Sequence, residues 1–348
     1  MRHSKIHFLC LSMLIFSTTS TQQSFAKLPD LGCEVPILKQ KYHVLGCFQE
    51  DAVRVQQNGK WGVLNRQSKV IIPFQYDFLA SFSENLLVAR KDGQWGFLDK
   101  QNQIVIPFQP YQMAYNFVEG FAAVQQNDKW GFIDKTGKFV IAAQFDETWG
   151  FSEDLAAVRI QDKWGYIDKS GKMIISPTYD QVQDFSEGLA VVEKNGSKGY
   201  IDKSGKIIIP IQYYDARAFR EGVAAVYSAY NKAGFIDKTG KNIIGFDYSF
   251  AQDFNNGLAI VSKGKKFGVI NRQNQTVVAF DYDEIKDFVQ GIAIANKAGK
   301  WGYIDQTGKI IIPLIYDDIS QFSQGVAMAT LKNKTLYLNR QGKVIKLP

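Results

Sequence analysis

The sequence predicts an all-β protein built as a tandem array of about nine repeats of 34 residues, with three strands in each repeat. Three observations carry this. A Trp-Gly step recurs, and its glycine stands at Gly62, Gly96, Gly131, Gly165, Gly199, Gly234, Gly268 and Gly302, at intervals of 34, 35, 34, 34, 35, 34 and 34 residues. A worn ninth copy holds Leu336 in the glycine slot. Short strand-like runs alternate with glycine turns, and no segment reads as a helix of ordinary length. A phenylalanine returns at the same period at Phe48, Phe82, Phe117, Phe151, Phe185, Phe219, Phe254, Phe288 and Phe322. Such a repeat makes one continuous array rather than separate domains. Nine units exceed the roughly four to eight blades usual in a propeller, so an open, superhelical β-solenoid is favoured, with a β-propeller as the alternative.

Residues 1–26 have the layout of a secretory signal peptide: Arg2 and Lys5, the apolar run FLCLSMLIF at 8–16, then Ser24, Phe25 and Ala26 before a cut. The run is too short to span a bilayer, and no later run approaches the ~18 apolar residues a spanning helix needs. The mature chain is therefore expected to lack a transmembrane segment and to be secreted or periplasmic. Its net charge falls from +7 to +5, because Arg2 and Lys5 leave and no acid does. Of the cysteines, only Cys33 and Cys47 remain, an even pair in an oxidising compartment. A disulfide there would staple an N-terminal cap at 27–51, beside which the array begins near Tyr42 and runs to 347. Two free thiols are the alternative.

Within a copy, residues 189–193 (LAVVE) have strand composition, and KNGSK at 194–198 carries an Asn-Gly hairpin signal. Residues 199–201 (GYI) form the next strand, DKSGK at 202–206 a second turn, and 207–209 (III) the last strand, stopped by Pro210. The second turn starts with Asp or Asn in every copy. Three residues on, it holds Gly137, Gly171, Gly205, Gly240, Gly308 and Gly342, or else Asn102, Asn274 or Ser68. That is the preference of a left-handed position following a type I turn, with the Asp or Asn side chain accepting a backbone N–H. One carboxylate per copy is poor equipment for calcium. A short fourth strand fits the remaining Tyr-Asp-x-x-x-x-Phe segment. The invariant phenylalanine is read as stacked core, each ring packing on its neighbours along the array.

Residues 163–172 (KWGYIDKSGK), followed by an apolar strand, Tyr-Asp and Phe-Ser-Glu-Gly-Leu-Ala, resemble the WG-repeat family, also called KWG repeats. The resemblance covers about 42–347 and extends over the whole 34-residue pattern. It implies a bacterial β-repeat protein with a binding or scaffolding role, and brings no catalytic residues. The Trp slot departs from the motif at Lys198, Ala233, Phe267 and Thr335, while glycine persists in eight copies. The fold needs the glycine more than the Trp, as expected where backbones approach closely or a strand bulges.

Trp61, Trp95, Trp130, Trp164 and Trp301 are therefore candidate binding residues, a row able to stack on sugar rings; local packing over the hairpin is the plainer role. The second-turn tips add Lys135, Lys138, Lys169, Lys172, Lys203 and Lys206, a basic stripe suited to a polyanionic envelope glycan or simply to solubility. A parallel series, Glu84, Glu119, Glu153, Glu187 and Glu221, gives way to Asn256, Gln290 and Gln324.

Beyond residue 26 the sequence has one histidine, His43, which removes Ser-His-Asp triads within the array and His-rich metal sites. No phosphate loop or cofactor motif occurs. Carboxylate pairs such as Asp317 with Asp318, or Asp281 with Asp283, fall in slots that the repeat itself explains. The expectation is an exported, non-catalytic protein that recognises an envelope glycan or polymer. A protein-interaction scaffold is the alternative, and nucleic acid is not expected on grounds of compartment.

Overall fold

A computed structural model describes residues 42–44, 48, 51–322 and 325–346. The expected signal peptide at 1–26, both cysteines and most of the expected cap at 27–51 fall outside the described residues.

Among the described residues nine four-stranded antiparallel sheets follow one another along the chain, each a simple meander. The fourth consists of Glu147–Ser152, Leu155–Ile160, Lys163–Asp168 and Met173–Tyr179. The sheets begin at His43, Phe78, Met113, Glu147, Gln181, Asp215, Phe250, Glu284 and Asp318. The first strand lies in the Tyr-Asp-x-x-x-x-Phe segment, and outside the fourth sheet it is two residues long, as in Gln181–Val182. Each unit is thus four-stranded, with the extra strand at its leading edge. No sheet among the described residues closes into a barrel. Among the described residues no helix is long and apolar enough to cross a membrane.

Local chemistry sets each connection. In the fifth sheet the hairpin turns on Asn195 and Gly196, both at positive φ, between the paired residues Lys194 and Ser197. This primed turn matches the twist of the flanking strands. The second turn has the form its residue types predict. In the third sheet Gly137 N–H donates to Asp134 O at 2.9 Å, and Asp134 Oδ1 accepts from Thr136 N–H at 2.8 Å and Lys138 N–H at 3.2 Å. Gly205, at φ 85°, also packs against Ile175 of the preceding sheet, to which an added Cβ would come within 3.3 Å. That slot therefore demands a left-handed backbone, which Ser68, Asn102 and Asn274 also adopt, and its glycines pack closely on the preceding sheet.

The Trp-Gly glycine has a different cause. Trp164 pairs with Tyr179 but Tyr166 with Ile175, so extra residues of the fourth strand bulge opposite Gly165. A Cβ on Gly165 would lie 2.3 Å from Ile175 O, and all eight such glycines would meet a neighbour at 2.3–3.0 Å. No side chain fits there, whereas the Trp slot beside it tolerates Lys, Ala and Phe.

The core lies between sheets. One cluster joins Val63, Ile72 and Tyr76 of the first sheet to Leu79, Leu87 and Leu98 of the second, and the pattern continues along the array. Second strands such as Leu189–Lys194 are buried on both faces because each internal sheet is covered by two neighbours. The repeating phenylalanines are core, but their ring partners differ from the expected phenylalanine ladder. Phe185 packs on Tyr166 of the preceding sheet at 4.9 Å, Phe219 on Tyr200 at 4.8 Å and Phe254 on Phe235 at 4.8 Å. Equivalent positions on stacked sheets are on the order of 10 Å apart, too far for rings to touch. The aromatic residue after Trp-Gly fills that gap. Where it is tyrosine its hydroxyl donates across the junction, from Tyr166 to Gln183 O at 2.7 Å and from Tyr200 to Arg217 O at 2.8 Å.

Candidate functional site

Each sequence-predicted surface residue can now be placed. Trp95, Trp130 and Trp164 are buried, while Trp61 and Trp301 are half-buried. Their faces are covered from the start of a sheet: Tyr115 stacks on Trp130 at 4.8 Å, Trp149 on Trp164 at 5.8 Å, and the Lys286 ammonium lies 5.0 Å over Trp301. The five Trp-Gly tryptophans therefore form a floor under other side chains.

The lysine stripe divides in two. Lys135, Lys169 and Lys203 lie 3.0, 3.1 and 3.3 Å from Glu84, Glu119 and Glu153 of the preceding sheet. Lys238 and Arg272 repeat this with Glu187 and Glu221 at 3.1 and 3.0 Å. The same carboxylates accept turn N–H groups of the next sheet, Glu153 from Gly188 at 3.0 Å and Glu187 from Gly222 at 2.8 Å. The basic and acidic series are two halves of one inter-sheet clasp, and their charges cancel. Where the carboxylate becomes Asn256, the cation slot 50 residues later becomes Gln306. Lys138, Lys172 and Lys206 are exposed and form no salt bridge among the described residues.

A second clasp uses the lysine preceding Trp-Gly. Lys60, Lys266 and Lys300 lie 2.5, 2.6 and 2.5 Å from Asp77, Asp283 and Asp317 at the start of the next sheet, and Lys163 pairs likewise with Asp180. Asp180 also accepts the Asn195 N–H at 2.6 Å; the Lys163 hydrogen bond, then that N–H, lower its pKa below the usual carboxylate range. In the fifth sheet both partners move one residue on. Lys198 takes the Trp slot and pairs with Asp215, while Ser197 and Tyr214 occupy the usual positions.

The array is least regular in its fourth sheet. Its first strand, Glu147–Ser152, is six residues long, with a register shift between Thr148 and Phe151. Buried Thr148 anchors it by donating to Ala157 O at 2.8 Å. The bulge turns Trp149 outward, 44% exposed, with its ring 15° from parallel to that of buried Trp164. The groove beside it, about 500 Å³, is lined by Glu147, Trp149, Arg159, Asp162, Trp164, Asp180 and Gln181. Arg159 Nε lies 2.8 Å from Glu147, and Asp180 is held by Lys163, so the charged walls are largely paired. Tyr115 occupies in the third sheet the slot of Trp149 and is 39% exposed. Burial, then the nearby Glu147 carboxylate, push the pKa of its hydroxyl up.

Trp149 was missing from the sequence-derived row because it lies outside the Trp-Gly register. The available signal was an out-of-phase Trp149-Gly150 pair, the one Trp-Gly step that breaks the period. Flat aromatic faces, paired carboxylates and a guanidinium present stacking and hydrogen-bonding groups together, which suits a hydroxyl-rich ring.

A family model described as WG containing repeat matches residues 36–61, 61–95, 95–130, 130–164, 164–197, 199–227, 234–267, 267–301 and 301–334. No curated protein matches the chain. Among solved structures, a eukaryotic initiation factor is similar at 11% identity and TM-score 0.52, covering 86% of this chain and 95% of its own. The computationally designed Ika8 protein covers 76% and 93% at 13% identity and TM-score 0.42. BamB from Moraxella catarrhalis covers 87% and 94% at 10% identity and TM-score 0.38. At these identities the likeness concerns the fold alone, that of β-propeller and β-repeat proteins.

Proposed function

The chain belongs to the WG-repeat family, and from that premise we propose that it is an exported, non-catalytic protein that binds an envelope glycan through its repeat surface, at the groove of Trp149. The observation that carries this reading is the exposed Trp149 ring stacked on buried Trp164 at the wall of a groove of about 500 Å³. Trp164 holds the outer ring flat, so a sugar face meets a pre-ordered surface with little side-chain entropy left to lose. Glu147, Arg159, Asp162 and Gln181 stand around it as hydrogen-bond partners for hydroxyls. Cancellation of the Lys135, Lys169 and Lys203 charges favours ring stacking over polyanion capture. Export rests on the charged and apolar pattern at residues 1–26.

The test is binding of the mature chain to purified envelope polysaccharide and peptidoglycan at low and high salt. Retention that survives high salt and is lost in Trp149→Ala supports the reading. Retention that collapses with salt, or is indifferent to Trp149→Ala, overturns it. A second reading, a protein scaffold, draws on the exposed Ile104, Ile207, Ile310 and Val344 at the starts of fourth strands. Recovery of a stoichiometric protein partner sensitive to Ile207→Asp favours that role.

A further inference from the structure

The exposed aromatic residues share a pattern that one groove does not account for. Asp180 and Gln181 enter the Trp149 groove from the fifth sheet, so that groove is built by two consecutive sheets. Tyr214 follows Asp180 by 34 residues and holds the same place at the start of the sixth sheet. The junction between the fifth and sixth sheets therefore receives Tyr214, which is 56% exposed and stands 6.5 Å from Tyr230, 74% exposed at the hairpin tip. On the other side, Tyr115 is the counterpart of Trp149 at the junction of the third and fourth sheets. Glu147 belongs to both of these junctions: it lines the Trp149 groove and lies close enough to Tyr115 to act on its hydroxyl.

Three consecutive junctions thus each expose an aromatic ring on the same side of the array. Elsewhere the Trp149 slot holds Ala80, Gln183, Arg217, Gln252, Lys286 and Ser320, and the Tyr214 slot lacks an aromatic residue. The concentration in neighbouring sheets is not a consequence of the repeat, which places no aromatic residue at these slots in its other copies.

We infer that Tyr115, Trp149 and the pair Tyr214 and Tyr230 form one track that binds a linear, uncharged polysaccharide along its length, rather than a terminal sugar in a single groove. This rests on the glycan reading above and extends it to the form of the ligand. Successive sheets lie on the order of 10 Å apart, a spacing comparable to a disaccharide, so a chain crossing the junctions presents a new ring face at each. The charge balance selects against a polyanion. Among the residues lining the groove Arg159 is matched by Glu147 and Asp180 by Lys163, and Asp162 adds a further negative charge, so the lining itself carries no surplus cation. Several stacking contacts in series raise affinity through effective concentration, since each contact after the first is intramolecular.

The experiment is calorimetric titration of the full mature chain with neutral β-1,4-linked oligomers of glucose and of N-acetylglucosamine, graded from dimer to octamer. Affinity is expected to rise by about tenfold or more from dimer to octamer as further rings are engaged. The double variant Tyr214→Ala with Tyr230→Ala should remove most of that gain and leave dimer affinity unchanged, while Trp149→Ala weakens every length. These side chains are exposed, and an unchanged thermal midpoint verifies that the variants fold. Equal affinity for dimer and octamer, or an octamer affinity untouched by the tyrosine variants, overturns the track while leaving the single-groove reading standing. Binding of no oligomer of either sugar overturns both.

Discussion

The Glu153 carboxylate in the fourth sheet lies 3.3 Å from Lys203 of the fifth and accepts the Gly188 N–H of that same sheet at 3.0 Å. One side chain thereby ties two separate turns of its neighbour. Both partners are partly exposed, so the ion pair itself contributes only about 0.2–1 kcal/mol. Glu153→Gln keeps an acceptor for Gly188 and should cost about 0.5 kcal/mol. Glu153→Ala also abandons the N–H and should cost about 1–2 kcal/mol. Urea midpoints compare the two, and equal losses would refute the division of labour.

Gly165 and Gly188 differ in why they are glycine. A Cβ at Gly165 meets the Ile175 carbonyl at 2.3 Å, so Gly165→Ala must push a strand aside and should cost about 3 kcal/mol or more. Gly188, at φ 85°, has open space around it, so Gly188→Ala pays only for the left-handed backbone, about 1–2 kcal/mol. Thermal or chemical denaturation of the two variants checks the order.

Stacked Trp149 and Trp164 should separate binding from stability. Trp164 is 3% exposed, and Trp164→Ala should destabilise by about 3–5 kcal/mol. Trp149→Ala removes a half-exposed ring from the outer face and should change stability by about 1 kcal/mol or less while abolishing glycan retention. Measuring both properties on both variants tests this. A large stability loss in Trp149→Ala would make the ring part of the core.

Asp184 stands at a sheet junction, and burial pushes its pKa up to about 6. The folded state therefore binds its proton more tightly than the unfolded chain, whose carboxyl titrates near ~3.9. Stability contributed by this group is greatest below pH ~4 and falls as pH rises towards ~6, above which the charged buried form carries its full cost. Asp184→Asn should be the more stable protein at neutral pH, by up to about 2 kcal/mol. The difference from wild type should shrink on acidification. The lysine-paired Asp77, Asp146, Asp180, Asp283 and Asp317, whose pKa values are lowered, lose stability at lower pH in both proteins alike. Denaturation curves across that pH range distinguish the two effects, and a pH-independent difference would contradict the assignment.

What could be read from the sequence was whatever acts within one copy. The left-handed turn glycine and the Trp-Gly glycine leave a residue preference at each position, because φ and a blocked Cβ act locally. The Glu119 and Lys169 partnership spans 50 residues and is spread over two sheets, so each half looked like an independent surface stripe. The ring partner of Phe185 was hidden likewise, because Tyr166 stands on the preceding sheet. Trp149 escaped because its exposure depends on the long, bulged Glu147–Ser152 strand, a departure from the repeat rather than an instance of it. In the fifth copy, by contrast, the joint shift of Lys198 and Asp215 shows that the charge pair outranks the Trp slot.

The Trp149 groove is completed by Asp180 and Gln181, the first residues of the following sheet. A groove is thus a property of a junction and not of a copy. Duplication of a single copy within the gene would lengthen the array by one sheet and create one further junction. Its floor and its far wall could then diverge separately, because they are encoded in adjacent copies. Deletion of one copy would fuse two half-grooves of different ancestry into a new pairing, leaving the clasps on either side intact. An array of this kind can vary its junction surfaces by recombination between its own copies.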